Sequence, residues 1–326
     1  RGLGDVYKRQ RYDHLGDTGL VLSRVGLGSW LIFTTKEQDQ CNDLHRKAWE
    51  LGINFYDTAN QYHGGDAELA VGEALSPFPR ETYVLATKLF WPLSGHPFPT
   101  ANDRGLSRKQ IFNECHKSLK RLQTDHIDLY QCHRYDELTP LDETCWAMHD
   151  LITQGKVLYW GVSEWTAAQI EDAHGICRAN GWHRPVSNQP VLNLLQRHWE
   201  DECFPVCEKN GMGVVNFSPL CQGLLTGKYD DGMPEDSRAA DEAFGKWLRP
   251  LMTDGTMDKV RSFTTLCRDH GLQPAQVALA WCHSVAPVTS TIVGATKLSQ
   301  LEQNAAAADL DLDPDVLSSV ESIFTT

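Results

Sequence analysis

The sequence predicts an α/β chain closed into a (β/α)8 (TIM) barrel, and three observations carry that expectation. Eight apolar runs of strand type alternate with amphipathic stretches along the chain. No Pro/Ser-rich linker interrupts the alternation. Asp57, Tyr62, Lys88 and His133 stand at or just beyond the C-terminal ends of separate runs, and a barrel collects groups from different strands on that one face.

Ahead of the repeat, Tyr12-Asp13-His14-Leu15 and Leu20-Val21-Leu22-Ser23 flank Gly16-Asp17-Thr18-Gly19. A glycine-bracketed turn between short β-type runs predicts an N-terminal β-hairpin. The repeat then runs Val25 to Trp30 with a helix over 39–51, Asn54 to Ala59 with 66–76, Thr82 to Leu89 with 107–122, and Ile127 to His133 with 140–154. Its second half runs Val157 to Ser163 with 166–180, Val186 to Gln189 with 199–210, Gly213 to Pro219 with 257–270, and Thr291 to Gly294 with 298–307. Ser107 and Thr166 put a hydroxyl where the free N–H groups of a helix start need an acceptor. Gly52, Gly155, Gly181, Gly211 and Gly271 mark helix stops. Two connections are long, Phe90 to Leu106 after barrel strand 3 and Leu220 to Thr256 after barrel strand 7. Long loops on the catalytic face bind or cover something, or are plain surface excursions. Arg1 to Gln10 lack an initiator Met and continue no downstream pattern, so they are expected to be a non-native leader. That leaves 11–326 as a single barrel domain.

The 326 residues carry 43 acidic against 30 basic side chains, a net charge of −13. This argues against nucleic acid or an anionic membrane as partner. No run reaches the length of apolar sequence that a membrane span needs, and the chain opens on no signal peptide. Ten cysteines, at 41, 115, 132, 145, 177, 203, 207, 221, 267 and 282, show no paired-cluster spacing. Free thiols and a cytoplasmic protein are the expectation, and Cys203 and Cys207 lack the further Cys or His pair that would make a metal site.

The familiar phosphate motifs fail. Gly26-Leu27-Gly28-Ser29-Trp30-Leu31 has Leu31 where a dinucleotide fingerprint needs its third glycine. Gly223-Leu224-Leu225-Thr226-Gly227-Lys228-Tyr229 is one residue short of a P-loop and ends in Tyr229. What remains is Lys228 with Ser237 and Arg238, in a loop that also holds Asp230, Asp231, Glu235 and Asp236. Two cations and a hydroxyl can hold a phosphate monoester, or they can simply balance the neighbouring carboxylates.

The four polar residues, together with Phe217-Ser218-Pro219-Leu220 and Gly227-Lys228-Tyr229-Asp230, resemble the aldo-keto reductases over essentially Tyr12 to Phe324. Three further stretches are similar to the branch that contains potassium-channel β subunits and their bacterial reductase relatives: Gly105 to Lys109, Ala147 to Lys156, and Tyr159 to Trp165. The resemblance implies NADPH (NADP) bound across the barrel mouth without a Rossmann fold. By position, Ser163 and Gln189 would hold the nicotinamide amide, Phe217 would stack under the ring, and Ser218, Pro219, Leu220 and Gly223 would line the pyrophosphate. Lys228, Ser237 and Arg238 fall where the family grips the 2′-phosphate, and Gly294, Thr296, Gln300, Gln303 and Asn304 fall around the adenosine. Trp30 joins the cofactor contacts. Gln303 stands where such proteins usually carry Glu, and an amide oxygen can still accept the same bond. Relatives form tetramers or larger rings, so a homo-oligomer is implied too.

In this reading Tyr62 is the general acid that protonates a carbonyl oxygen as hydride reaches its carbon. Moving a phenol from about 10 toward 7 needs roughly 4 kcal/mol, and an ammonium at about 4 Å supplies that order at an effective dielectric near 20. Lys88 is the ammonium, Asp57 holds it charged, and His133 orients the carbonyl oxygen. Taken singly, each has a plain alternative: a loop tyrosine, a structural ion pair, a strand-end histidine. The channel β subunits tend to carry Asn where His133 stands, so the chain departs from them toward the reductases. Trp30, Phe33, Phe90 and Trp91 either wall an apolar substrate pocket or pack the core. The acidic 230–242 loop, with Trp247 beyond it, is expected to fold over the cofactor as a lid.

The function expected is NADPH-dependent reduction of a small-molecule carbonyl, an aldehyde or ketone, to the alcohol. The alternative is a nicotinamide-sensing regulatory β-type subunit with slow turnover. A barrel hydrolase working with two carboxylates lacks its acid pair, since Asp57 is used in holding Lys88.

Overall fold

A computed structural model describes residues 10–30, 33–93, 101–234, 239–240 and 245–325. Eight parallel strands close into a barrel: β3 (Val25–Gly28), β4 (Phe55–Asp57), β5 (Val84–Leu89), β6 (Ile127–Cys132), β7 (Val157–Val162), β8 (Ser187–Asn188), β9 (Gly213–Asn216) and β10 (Val288–Val293). The (β/α)8 expectation holds. The antiparallel hairpin of β1 (Tyr12–His14) and β2 (Val21–Ser23) lies outside the barrel sheet.

Helices follow the strands in the expected alternation: α1 (Gln38–Glu50), α2 (Asp66–Leu75), α3 (Arg108–Arg121), α4 (Leu141–Thr153) and α5 (Ala167–Asn180). The side chains of Ser107 and Thr166 accept from the backbone N–H groups of Gln110 and Gln169, the caps that the sequence marks.

The second half differs from expectation in three places. The helix over 199–210 is two short ones, α6 (Trp199–Glu202) and α7 (Phe204–Lys209), with Pro205 in the opening turn of the second. After α8 (Asp254–Asp269) comes a helix the periodicity does not announce, α9 (Pro274–Ser284). Its residues Val277 to Cys282 are all buried, so it has no polar face to set a period. The last strand accordingly begins at Val288, and α11 (Pro314–Thr325) follows α10 (Leu298–Ala306).

The barrel interior is packed. Phe55, Val84, Ala86, Leu129, Val215 and Ile292 form one buried cluster, and Leu15 and Leu22 of the hairpin join it, so the hairpin seals the N-terminal mouth. Each fully buried side chain of this size contributes about 1.5–3 kcal/mol. Gln10, the last residue of the expected leader, is itself buried, and its amide donates to the Ala305 carbonyl at 2.9 Å. Residues 1–9 lie outside the described residues.

Side chains alternate along a strand, so the inward Val84 and Ala86 fix the direction of Lys88. The inward Leu129 does the same for Gln131 and His133. In the parallel ladder Lys88 pairs with Gln131, and Asp57 pairs with Ala86. Register alone therefore brings Asp57, Lys88 and Gln131 together inside the C-terminal mouth.

Candidate active site

Lys88 is fully buried and donates to Asp57 Oδ1 at 2.5 Å and to the Thr58 carbonyl at 2.8 Å. Its third contact is the Tyr62 hydroxyl, at 3.4 Å. Tyr62 reaches it because β4 ends at Asp57 and the chain turns back through a short 3-10 segment, Tyr62–Gly65. That segment carries left-handed backbone at His63, Gly64 and Gly65.

The second oxygen of Asp57 is also used. Oδ2 accepts from the amides of Gln189 at 3.0 Å and Gln131 at 3.3 Å. A buried carboxylate with an ammonium and two amide donors is fully partnered. Lys88 is pulled down by burial and lifted more by Asp57 and Tyr62, so it stays above its ordinary range and charged.

Burial acts in the opposite sense on Tyr62 and is the strongest influence there. Lys88 lowers the phenol, yet the net shift is upward. The arithmetic from sequence counted only the attraction of Lys88 and set aside the cost of burying a phenolate. Tyr62 is therefore protonated at neutral pH, the state a proton donor needs.

His133 follows β6 directly, with its backbone N–H donating to the Leu89 carbonyl at 2.9 Å. Its ring stands edge-on to Tyr62, centroids 6.0 Å apart. Burial, then Lys88 and Arg134, hold its pKa well below the usual histidine range, so the imidazole is neutral. Arg134 in turn pairs with Glu164 at 2.8 Å.

The residues expected at a cofactor sit on the same mouth. Ser163 follows β7, and its hydroxyl donates to the Gln189 carbonyl at 2.8 Å. Phe217 follows β9, where its backbone bridges to Val191. Beyond it, Ser218, Cys221, Gln222 and Gly223 all have positive φ. Within this turn the N–H groups of Cys221 and Gly223 donate to the Ser218 and Leu220 carbonyls, both at 2.9 Å. A Cβ added at Gly223 would stand 2.8 Å from Lys228 Nζ, so the bare backbone leaves room for the ammonium over the turn. Asp230 Oδ2 accepts from Arg268 at 2.6 Å and Thr264 at 2.7 Å. The residues present thus fit a phosphate. Ser237 and Arg238 lie outside the described residues, as does much of the loop expected to act as a lid.

Gly294 directly follows β10, four residues before α10 begins at Leu298. The Gln300 side-chain oxygen accepts from the backbone N–H groups of Thr296 and Lys297, at 3.0 and 3.3 Å, and so caps that helix. Asn304 is buried one turn further on, while Gln303 is exposed. Among the aromatic residues, Phe33 and Phe90 are buried packing residues, whereas Trp30 and Trp91 are half-buried.

Sequence reasoning missed two partners of the central four. Gln131 had a signal, as a polar residue two before His133 in the same strand run, hence on the same inward face. Gln61, whose amide lies 3.3 Å from His133 Nδ1, had none beyond its place before Tyr62.

This geometry agrees with what the chain is similar to. Residues 24–324 match the family model described as "Aldo/keto reductase family". A "probable voltage-gated potassium channel subunit beta" of Oryza sativa subsp. japonica is 38% identical over 96% of this chain and 96% of its own length. A protein of the same description from Arabidopsis thaliana is 38% identical, again over 96% of each. A "putative voltage-gated potassium channel subunit beta" of Schizosaccharomyces pombe (strain 972 / ATCC 24843) is 37% identical over 97% of this chain and 94% of its own. These relatives fall in the branch that the stretches at 105–109, 147–156 and 159–165 resemble. With barrel, site and near-full-length similarity in agreement, the chain belongs to the aldo/keto reductase family, a family of oxidoreductases.

Proposed function

We propose that the chain reduces aldehydes or ketones to alcohols with NADPH, with Tyr62 as the general acid. The observation that carries this is Lys88, whose single ammonium contacts both Asp57, at 2.5 Å, and the Tyr62 hydroxyl, at 3.4 Å. When bound, the nicotinamide supplies the hydride that adds to the carbonyl carbon.

The chain's own groups handle the oxygen. Tyr62 gives its proton to the developing alkoxide, and Lys88 stabilises the phenolate left behind. At 3.4 Å that attraction is about 332/(20 × 3.4), roughly 5 kcal/mol. Asp57 keeps Lys88 charged throughout, and Gln131 and Gln189 hold the carboxylate in place by donating to its other oxygen. His133, neutral and beside Tyr62, offers a second donor to the same oxygen. Ser163 and the Gln189 side-chain oxygen orient the nicotinamide amide, Phe217 and Trp30 flank the ring, and the turn at Ser218 to Gly223 holds the pyrophosphate. Lys228, Ser237 and Arg238 take the 2′-phosphate, and Gly294, Thr296, Gln300, Gln303 and Asn304 surround the adenosine.

A second reading rests on the names of the relatives, which are potassium channel β subunits. Here the same site senses nicotinamide redox state in a regulatory subunit and turns over slowly. NADPH oxidation against a panel of aldehydes separates the two. Turnover of 1 s⁻¹ or faster, roughly the low end for enzymes, is expected for the reductase. Tight NADPH binding with turnover far below that rate on every aldehyde would favour the regulatory subunit. Arg238→Ala should weaken NADPH far more than NADH, and equal affinity of the parent protein for both would count against the phosphate clamp.

A further inference from the structure

We infer that Gln61 is a positioning residue that sets the tautomer of His133, so that the ring presents Nε2–H to the substrate oxygen. The inference rests on the carbonyl-reductase reading and adds to it a residue outside the four expected ones.

The Gln61 side-chain amide nitrogen lies 3.3 Å from His133 Nδ1. A neutral imidazole has one N–H and one bare nitrogen. An amide N–H pointing at Nδ1 requires Nδ1 to be the bare one, which puts the ring proton on Nε2. The neutral state itself follows from burial and from the flanking charges of Lys88 and Arg134. Turned the other way, the Gln61 amide would place its oxygen at Nδ1 and demand Nδ1–H. Nε2 would then face a carbonyl oxygen lone pair to lone pair, and the ring could not stabilise developing negative charge.

Among the described residues, the hydrogen-bond contact of the ring is with Gln61. The His133 N–H is committed to Leu89, and its carbonyl accepts from Arg134 at 2.5 Å. Its edge-on contact with Tyr62 is apolar and indifferent to the proton's position. The Gln61 backbone is fixed, because its carbonyl accepts from the Gly64 N–H at 3.0 Å in the turn that carries Tyr62. The turn that delivers the phenol to Lys88 thus also delivers the amide to His133. Gln61 Oε1 is buried without a partner among the described residues, so the orientation of the amide rests on the contact of its Nε2 with His133 Nδ1.

The test is long-range ¹H–¹⁵N correlation on the full chain labelled at histidine, with the His133 ring identified by its loss in His133→Asn. The expected result is Nε2–H with a bare Nδ1 in the parent protein. Gln61→Leu should give a mixture of tautomers and lower kcat for aldehyde reduction about fivefold, the scale of one orienting hydrogen bond, with the Kd for NADPH unchanged. Gln61→Glu should draw a proton onto Nδ1. A parent ring protonated on Nδ1, or a Gln61→Glu ring that keeps Nδ1 bare, overturns the inference. If the parent protein reduces no aldehyde yet shows the Gln61-dependent tautomer, the reductase reading fails and the Gln61 assignment stands.

Discussion

Replacing Lys88 by Met should cost both stability and turnover, and the two losses have separate sources. Lys88 and Asp57 are 0% and 4% exposed and 2.5 Å apart. Removing one member of such a pair leaves a buried charge without its partner, which costs about 3–5 kcal/mol. Two amide donors, Gln131 and Gln189, still reach Asp57 Oδ2 in the variant. The expected loss therefore sits near the lower end, about 3 kcal/mol. Adding Asp57→Asn removes the stranded charge, so the double variant should recover about 2 kcal/mol relative to the sum of the singles. Turnover should not recover, because Tyr62 has lost its cation. The upper limit of that loss is roughly 5 kcal/mol, between three and four decades in kcat at about 1.36 kcal/mol per decade. Urea denaturation at neutral pH gives the stability cycle, and NADPH oxidation gives the rates. A loss below about 1 kcal/mol for Lys88→Met, or strict additivity in the double variant, would refute the buried-pair reasoning.

Two other outcomes follow from the same structure. His45, His174 and His283 are held down to about 4 by burial, below the 6.5 of the unfolded chain. The unfolded state then binds more protons as pH falls, so the stability these groups contribute is present above about pH 6.5 and lost progressively toward pH 4. Each loses on the order of 3 kcal/mol across that window. Thermal melts should fall steeply between those values, and a flat Tm would contradict the buried neutral histidines. Gly223→Ala places a Cβ at a φ of +94° and against Lys228 Nζ. It should cost about 1 kcal/mol of folding stability and raise the Kd for NADPH about tenfold, read by fluorescence titration. An unchanged Kd would remove the turn from the cofactor site.

The four residues expected at the site were legible because the barrel enforces where a strand end points. Once the alternation is read as strand and helix, Asp57, Lys88 and His133 can lie only on one mouth, and Tyr62 is close behind in chain. The hairpin, too, was written in its bracketing glycines. Helix α9 was not, because burial on every side removes the polar stripe that periodicity needs. The break at Cys203 and the two-residue strand β8 depend on Pro205 and on the prolines at 185 and 190, whose local effect cancels an otherwise plausible run. Within the site, the shift of Tyr62 had the wrong sign from sequence. Burial of the hydroxyl is a tertiary property, and a single Coulomb interaction cannot supply it. Gln61 escaped for a related reason: an amide in a turn has no pattern until the histidine it touches is brought beside it.

The most direct measurement of the central claim is deuterium transfer from NADPH labelled at the nicotinamide C4 to an aldehyde, followed by mass and NMR analysis of the alcohol. The account predicts one deuterium on the carbinol carbon with the parent protein, and transfer slowed at least about a hundredfold in Tyr62→Phe with NADPH still bound. Deuterium transfer at full rate in Tyr62→Phe, or NADPH consumed with no deuterium in the alcohol, would contradict it.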